Sequence, residues 1–95
     1  MLTKQMHLSV WELTHKLRFD TNALKSLEKL PTSISQRIIK KLQQTKTNPH
    51  RYFKKLTDTA QYSLRVGEYR VIADITTEHI VVLYIDHRKR VYDRL

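Results

Sequence analysis

The stretch Tyr62–Ile75, YSLRVGEYRVIADI, followed by His79–Ile85, HIVVLYI, decides the fold. Both segments are rich in β-branched and aromatic residues, and short breaks at Gly67-Glu68 and Thr77-Glu78 divide them into three strands, SLRV, YRVIADI and HIVVLYI. Gly67, the only glycine in the chain, stands where a two-residue type II′ hairpin requires positive φ. With Gly67 and Glu68 as the loop, Val66 lies opposite Tyr69 and Arg65 opposite Arg70. Strand alternation then collects Tyr62, Leu64, Val66, Tyr69, Val71, Ala73 and Ile75 on a core face, with the two arginines on the other. Regular pairing of the third strand adds Ile80, Val82 and Tyr84 to the core. It sets His79, Val81, Leu83, Ile85 and His87 beside the arginines.

Upstream, the period changes. Thr14–Phe19, THKLRF, alternates as a first strand. Asp20 or Thr21 caps a helix in which Ala23, Leu24, Leu27 and Leu30 recur at helical spacing until Pro31. A second helix opens at Ser33, where Ser33-Ile34-Ser35-Gln36 has capping-box spacing; Ile34, Ile38, Ile39 and Leu42 form its apolar stripe and Arg37, Lys40 and Lys41 face outward. Asn48-Pro49 ends that helix, and a basic loop, His50–Lys55 (HRYFKK), follows. The order of strand, αα-hairpin and three-strand antiparallel meander predicts an α+β domain over residues 14–95, with the helices on one sheet face. Residues 1–13 show no clean period and read as an N-terminal extension, with Met6 an alternative start.

The 95 residues suit one domain, and 40% hydrophobic against 28% charged suits a folded chain. The formal charge of +9 points to a polyanionic partner, either nucleic acid or an acidic protein. Without cysteine, disulfides and thiolate chemistry are excluded, which fits a cytoplasmic protein. No histidine pair has zinc-ligand spacing and no segment has the character of a membrane span, so neither metal, cofactor nor membrane is expected.

Arginines directly opposite each other on one face repel unless water screens them or an anion lies between them, which makes Arg65 and Arg70 candidate phosphate ligands. The third strand leads into Asp86-His87-Arg88-Lys89-Arg90-Val91-Tyr92, a segment with an imidazole, several cations and a phenol. Cleavage of RNA by its own 2′-hydroxyl needs a base, cations for the phosphate and an acid for the 5′-oxygen, and these residue types supply all three. His87 is the candidate acid or base, Arg88 a further phosphate ligand, and Tyr92 a stacking or orienting group. Lys54, Lys55, Lys89 and Arg90 are candidate RNA contacts.

These residues carry a resemblance. L-R-V-G-x-Y-R and H-R-x-x-V-Y, with LRFDTNALKSLEKLP upstream, are similar to the RelE/ParE toxin superfamily over roughly residues 16–95, most of all to its RelE-like branch. The resemblance implies a microbial RNase-like fold and the toxin of a type II toxin–antitoxin system, an mRNA interferase that cleaves message in the ribosomal A site. It implies as partners an acidic RelB-like antitoxin, the ribosome and mRNA, and operator DNA only together with the antitoxin. By position, it gives Arg65 and Arg70 a grip on substrate phosphates, Arg88 transition-state stabilisation, and Tyr92 stacking on the message. His87 stands where some relatives carry a histidine or another polar residue. One departure is Gln61 and Ser63, where strongly active members have lysines; Lys54 and Lys55 are the nearest substitutes. Two other readings fit the family: a ParE-like toxin that poisons DNA gyrase without cutting RNA, and an attenuated homologue acting in an antitoxin-bound operator complex.

Overall fold

The computed structural model describes residues 14–87. Its elements are β1 (Lys16–Phe19), α1 (Thr21–Lys29), α2 (Thr32–Thr45), α3 (Pro49–Tyr52), β2 (Lys54–Lys55), β3 (Tyr62–Val66), β4 (Tyr69–Ile75) and β5 (His79–His87). The five strands form one sheet in the order β1-β5-β4-β3-β2. This is the expected α+β architecture, with two additions. β1 runs parallel to β5, Leu17 opposite Ile80 and Phe19 opposite Val82, so the first strand closes the sheet beside the last. The HRYFKK segment, expected as a loop, holds the short helix α3 and the edge strand β2.

The β3–β4 hairpin has the expected register, including Val66 opposite Tyr69 and Arg65 opposite Arg70. Gly67 has φ of 61°, and no other described residue has positive φ, which fits a type II′ turn and excludes type I′. The second hairpin closes at Thr76, whose N–H donates to the His79 carbonyl at 2.9 Å while its hydroxyl accepts the His79 N–H at 3.0 Å.

Asp20 caps α1, its carboxylate accepting the Thr21 N–H at 2.9 Å. The helix stops at Leu30, which is extended at ψ 151° because Pro31 disfavours helical backbone in the residue before it. The capping box expected at Ser33 does not form. α2 has already begun at Thr32, with Pro31 at its N-cap and no side-chain cap, and the Pro31 carbonyl accepts the N–H groups of Ile34 and Ser35. Ser35 instead donates its hydroxyl proton to the Leu27 carbonyl at 2.7 Å, which ties the two helices together. Ala23 from α1 and Ile38 and Leu42 from α2 pack onto Leu64, Val66, Val71, Ala73, Ile80, Val82 and Ile85 of the sheet, with Phe53. Both helices therefore cover the same sheet face.

In β5 the structure departs from the expected regular pairing. Val82 opposes Ala73 but Tyr84 opposes Ile72, so Leu83 is an extra residue, a β-bulge. Past it the two faces exchange. Ile85 pairs with Val71 and enters the core at 7% exposure, while Tyr84 and Asp86 join the arginine face. Tyr84 was expected in the core and Ile85 and His87 beside the arginines. One inserted residue reverses all three, since side chains alternate with a period of two.

Candidate nucleic-acid interface

On the sheet face away from the helices, two cross-strand rows stand side by side. Arg65 opposes Arg70, and Arg70 opposes Asp86; Lys54 opposes Ser63, Ser63 opposes Ile72, and Ile72 opposes Tyr84. Edge strand β2 thus sets Lys54, one of the two substitutes, on the arginine face level with Ser63. Lys55 opposes Tyr62 and belongs to the other side. Tyr62 also meets the His50 ring edge-on at 5.4 Å.

The opposed arginines form as expected, but protein groups already relieve their repulsion. The exposed Arg65 turns away, its Nε donating to the Gly67 carbonyl at 3.3 Å. The half-buried Arg70 has a carboxylate on its other flank, Asp86, which is 7% exposed. Asp86 Oδ1 accepts the His87 N–H at 2.8 Å. Residue type and spacing gave no signal for this acid, because its face depends on the bulge. Like-charge repulsion between Arg65 and Arg70 is thus no longer evidence for a bound anion. What stands is a face presenting Lys54, Ser63, Arg65, Arg70 and Tyr84.

His87 lies apart from this face. It opposes Tyr69, meets that ring edge-on at 5.2 Å, and sets Nε2 at 3.2 Å from Glu68 Oε2. This end of β5 borders a groove of about 550 Å³ against α1, with Lys25, Lys29, Leu30, Tyr69 and Ile85 in its wall. Arg88, Lys89, Arg90 and Tyr92, with residues 1–13, lie outside the described residues. Among the described residues, no three His, Asp or Glu side chains cluster as metal ligands, and no helix is long and apolar enough to cross a membrane.

The family model for the ParE toxin of type II toxin–antitoxin systems, parDE, matches residues 17–92. The chain belongs to this toxin family. Within the RelE/ParE superfamily, the chain is 30% identical to a chain of the toxin–antitoxin complex RelBE2 from Mycobacterium tuberculosis, over 79% of its own length and 99% of that chain, with a TM-score of 0.73. It is 28% identical to a chain of the RelB–RelE complex from Methanococcus jannaschii, over 82% and 98%, with a TM-score of 0.64. A chain of the ParDE system of Pseudomonas aeruginosa matches at 11% identity, over 78% and 96%, with a TM-score of 0.67, a likeness of fold alone. No curated protein matches at a significant level. The toxin fold thus joins α1 and α2 on one sheet face to a second face that carries Lys54, Arg65 and Arg70 around the buried Ile72 and Asp86.

Proposed function

We propose that this toxin is a ribosome-dependent endoribonuclease that cleaves mRNA in the A site. The observation that carries the reading is the sheet face away from the helices, where Arg70 and the exposed Arg65 share one row and Ser63 and the exposed Lys54 the next. A planar guanidinium that is always charged suits phosphate oxygens, and a sheet carries its side chains on a rigid frame. The greater identity to RelB–RelE complexes than to the ParDE chain supports cleavage over gyrase poisoning.

In the proposed reaction the RNA 2′-oxygen bonds to phosphorus as the bond to the 5′-oxygen breaks. The 2′-proton passes to a base and a proton is delivered to the 5′-oxygen, leaving a 2′,3′-cyclic phosphate and a 5′-hydroxyl. Arg65 and Arg70 hold the phosphate, Arg88 stabilises the charge that develops on it, and Tyr92 orients the message. Lys54 contributes the cation that Ser63 lacks. Lys55, Lys89 and Arg90 extend the contact with RNA. The protein works in the cytoplasm without metal or cofactor and is neutralised by an acidic antitoxin. The two RelB–RelE structures described above are toxin–antitoxin complexes, and the α1–β5 groove, lined by Leu30, Tyr69 and Ile85 together with Lys25 and Lys29, suits an apolar segment that carries carboxylates. Operator DNA is bound only with that antitoxin.

Purified toxin added to a translating extract is expected to cut message at the ribosome, and Arg88→Ala to abolish cutting while leaving the fold intact. The second reading, gyrase poisoning, is favoured by the match to the ParE toxin family over residues 17–92. Supercoiling inhibition by a preparation that leaves message whole would establish it in place of cleavage.

A further inference from the structure

A second cationic locus lies off the sheet face, in a cleft of about 320 Å³ between α2 and the β3–β4 turn. Arg37, Lys40 and Lys41 enter it from the helix and Arg65 from β3. α2 contains no acidic residue, and among the described residues none of these four cations makes an ion pair. Glu68, the nearest acid in sequence, lies within 3.2 Å of His87 instead.

Two arginines from different elements converge at Gly67. Arg65 donates to the Gly67 carbonyl, and Arg37 Nη1 lies 3.3 Å from the point a Cβ on Gly67 would occupy. The missing side chain thus serves the turn's positive φ and also lets a guanidinium rest against the backbone. Four cations gathered without a carboxylate repel one another, and an anion in the cleft relieves that repulsion.

The lining identifies the anion's class. Besides the cations it offers Gln44 and a single apolar residue, Val66, which is itself only 7% exposed. A protein segment needs an apolar or aromatic anchor at the centre of its contact, and this cleft has none, whereas the α1–β5 groove does. Planar guanidinium forks suit phosphate oxygens. The cleft also adjoins the outer sheet face. Among the described residues, β2 pairs with β3 only at Tyr62 and Ser63 and no strand pairs with the β3 edge past Ser63, and Arg65 belongs to both surfaces.

We propose that the α2–turn cleft is a second phosphate site, in which Arg37, Lys40, Lys41 and Arg65 hold the RNA backbone flanking the segment on the outer sheet face. The inference rests on the RNA reading above. It is tested by titrating the full chain with a fluorescent 2′-O-methyl oligoribonucleotide, whose blocked 2′-oxygens prevent cleavage, over a series of salt concentrations. Lys41 is left intact, since its Nζ sits 5.2 Å from the Tyr52 ring centroid and supports α3. Arg37→Gln/Lys40→Gln, with an unchanged urea midpoint, is expected to make the slope of log affinity against log salt shallower by about 1.4, roughly 0.7 for each phosphate no longer neutralised. A slope equal to wild type, while Arg70→Gln still lowers it, overturns the cleft and leaves the RNA reading standing. An unchanged RNA slope together with failure to bind a polyglutamate probe makes the cleft a protein site and also overturns the proposal. If the wild type itself shows no salt-dependent binding, the RNA reading and the cleft fall together.

Discussion

Truncating Ile85 to alanine tests the bulge on which the outer face depends. Ile85 is 7% exposed and packs in the core opposite Val71, itself fully buried. Core Ile→Ala changes cost about 2–5 kcal/mol, and a position near the strand end has some freedom to relax, so about 3 kcal/mol is expected. That is a large part of the roughly 5–14 kcal/mol expected for a domain of this size. It corresponds to a fall in Tm of about 12–24 °C. Leu83, the half-buried extra residue outside the core cluster, is the internal control. Leu83→Ala should cost about 1 kcal/mol, the share of its transfer energy that half-burial retains. Deleting Leu83 should leave Tyr84 opposite Ile72 and preserve the fold. Urea titrations followed by circular dichroism read these three variants and Tyr84→Ala. If Ile85→Ala costs no more than Leu83→Ala, or if Tyr84→Ala costs more than either, β5 pairs regularly. Tyr84 and Asp86 then leave the arginine face.

Four further outcomes follow from the same structure. Gly67→Ala should destabilise by about 1–2 kcal/mol in thermal melts, because φ of 61° crowds a Cβ against the backbone and Arg37 lies close. Asp20→Ala should lose about 1 kcal/mol with the α1 cap, measured in the same way. Asp86→Asn keeps a side-chain acceptor for the His87 N–H and removes a negative charge next to Arg70; oligoribonucleotide affinity should rise about fivefold, the effect of roughly 1 kcal/mol of Coulomb repulsion relieved, whereas weaker binding would mean that Asp86 positions Arg70. His87→Gln should retain message cleavage to within about tenfold, since His87 faces Tyr69 and Glu68. A loss of about 10²–10⁴ in the extract assay would instead assign His87 to proton transfer.

The sequence by itself determined several features governed by local chemistry, although the cap expected at Ser33 did not form. The β3–β4 register follows from Gly67, the one residue free to take positive φ, so the opposed Arg65 and Arg70 are legible in the chain alone. The α1 cap at Asp20, the stop before Pro31 and the buried stripe of Ile38 and Leu42 follow from capping, proline sterics and helical period. Only the tertiary structure decided what depends on distant partners. The bulge at Leu83 leaves no mark in the run HIVVLYI, because every residue there is compatible with either face, yet it moves Asp86 to the flank of Arg70 and turns His87 away. Edge strand β2 is two lysines long, too short for any period to register, and only pairing with β3 brings Lys54 level with Ser63. Arg37 and Arg65 are 28 positions apart in the chain, so their meeting over Gly67 is a product of how α2 packs on the sheet. Composition announced a polyanion, but the surfaces offered to it were settled by strand pairing and helix packing.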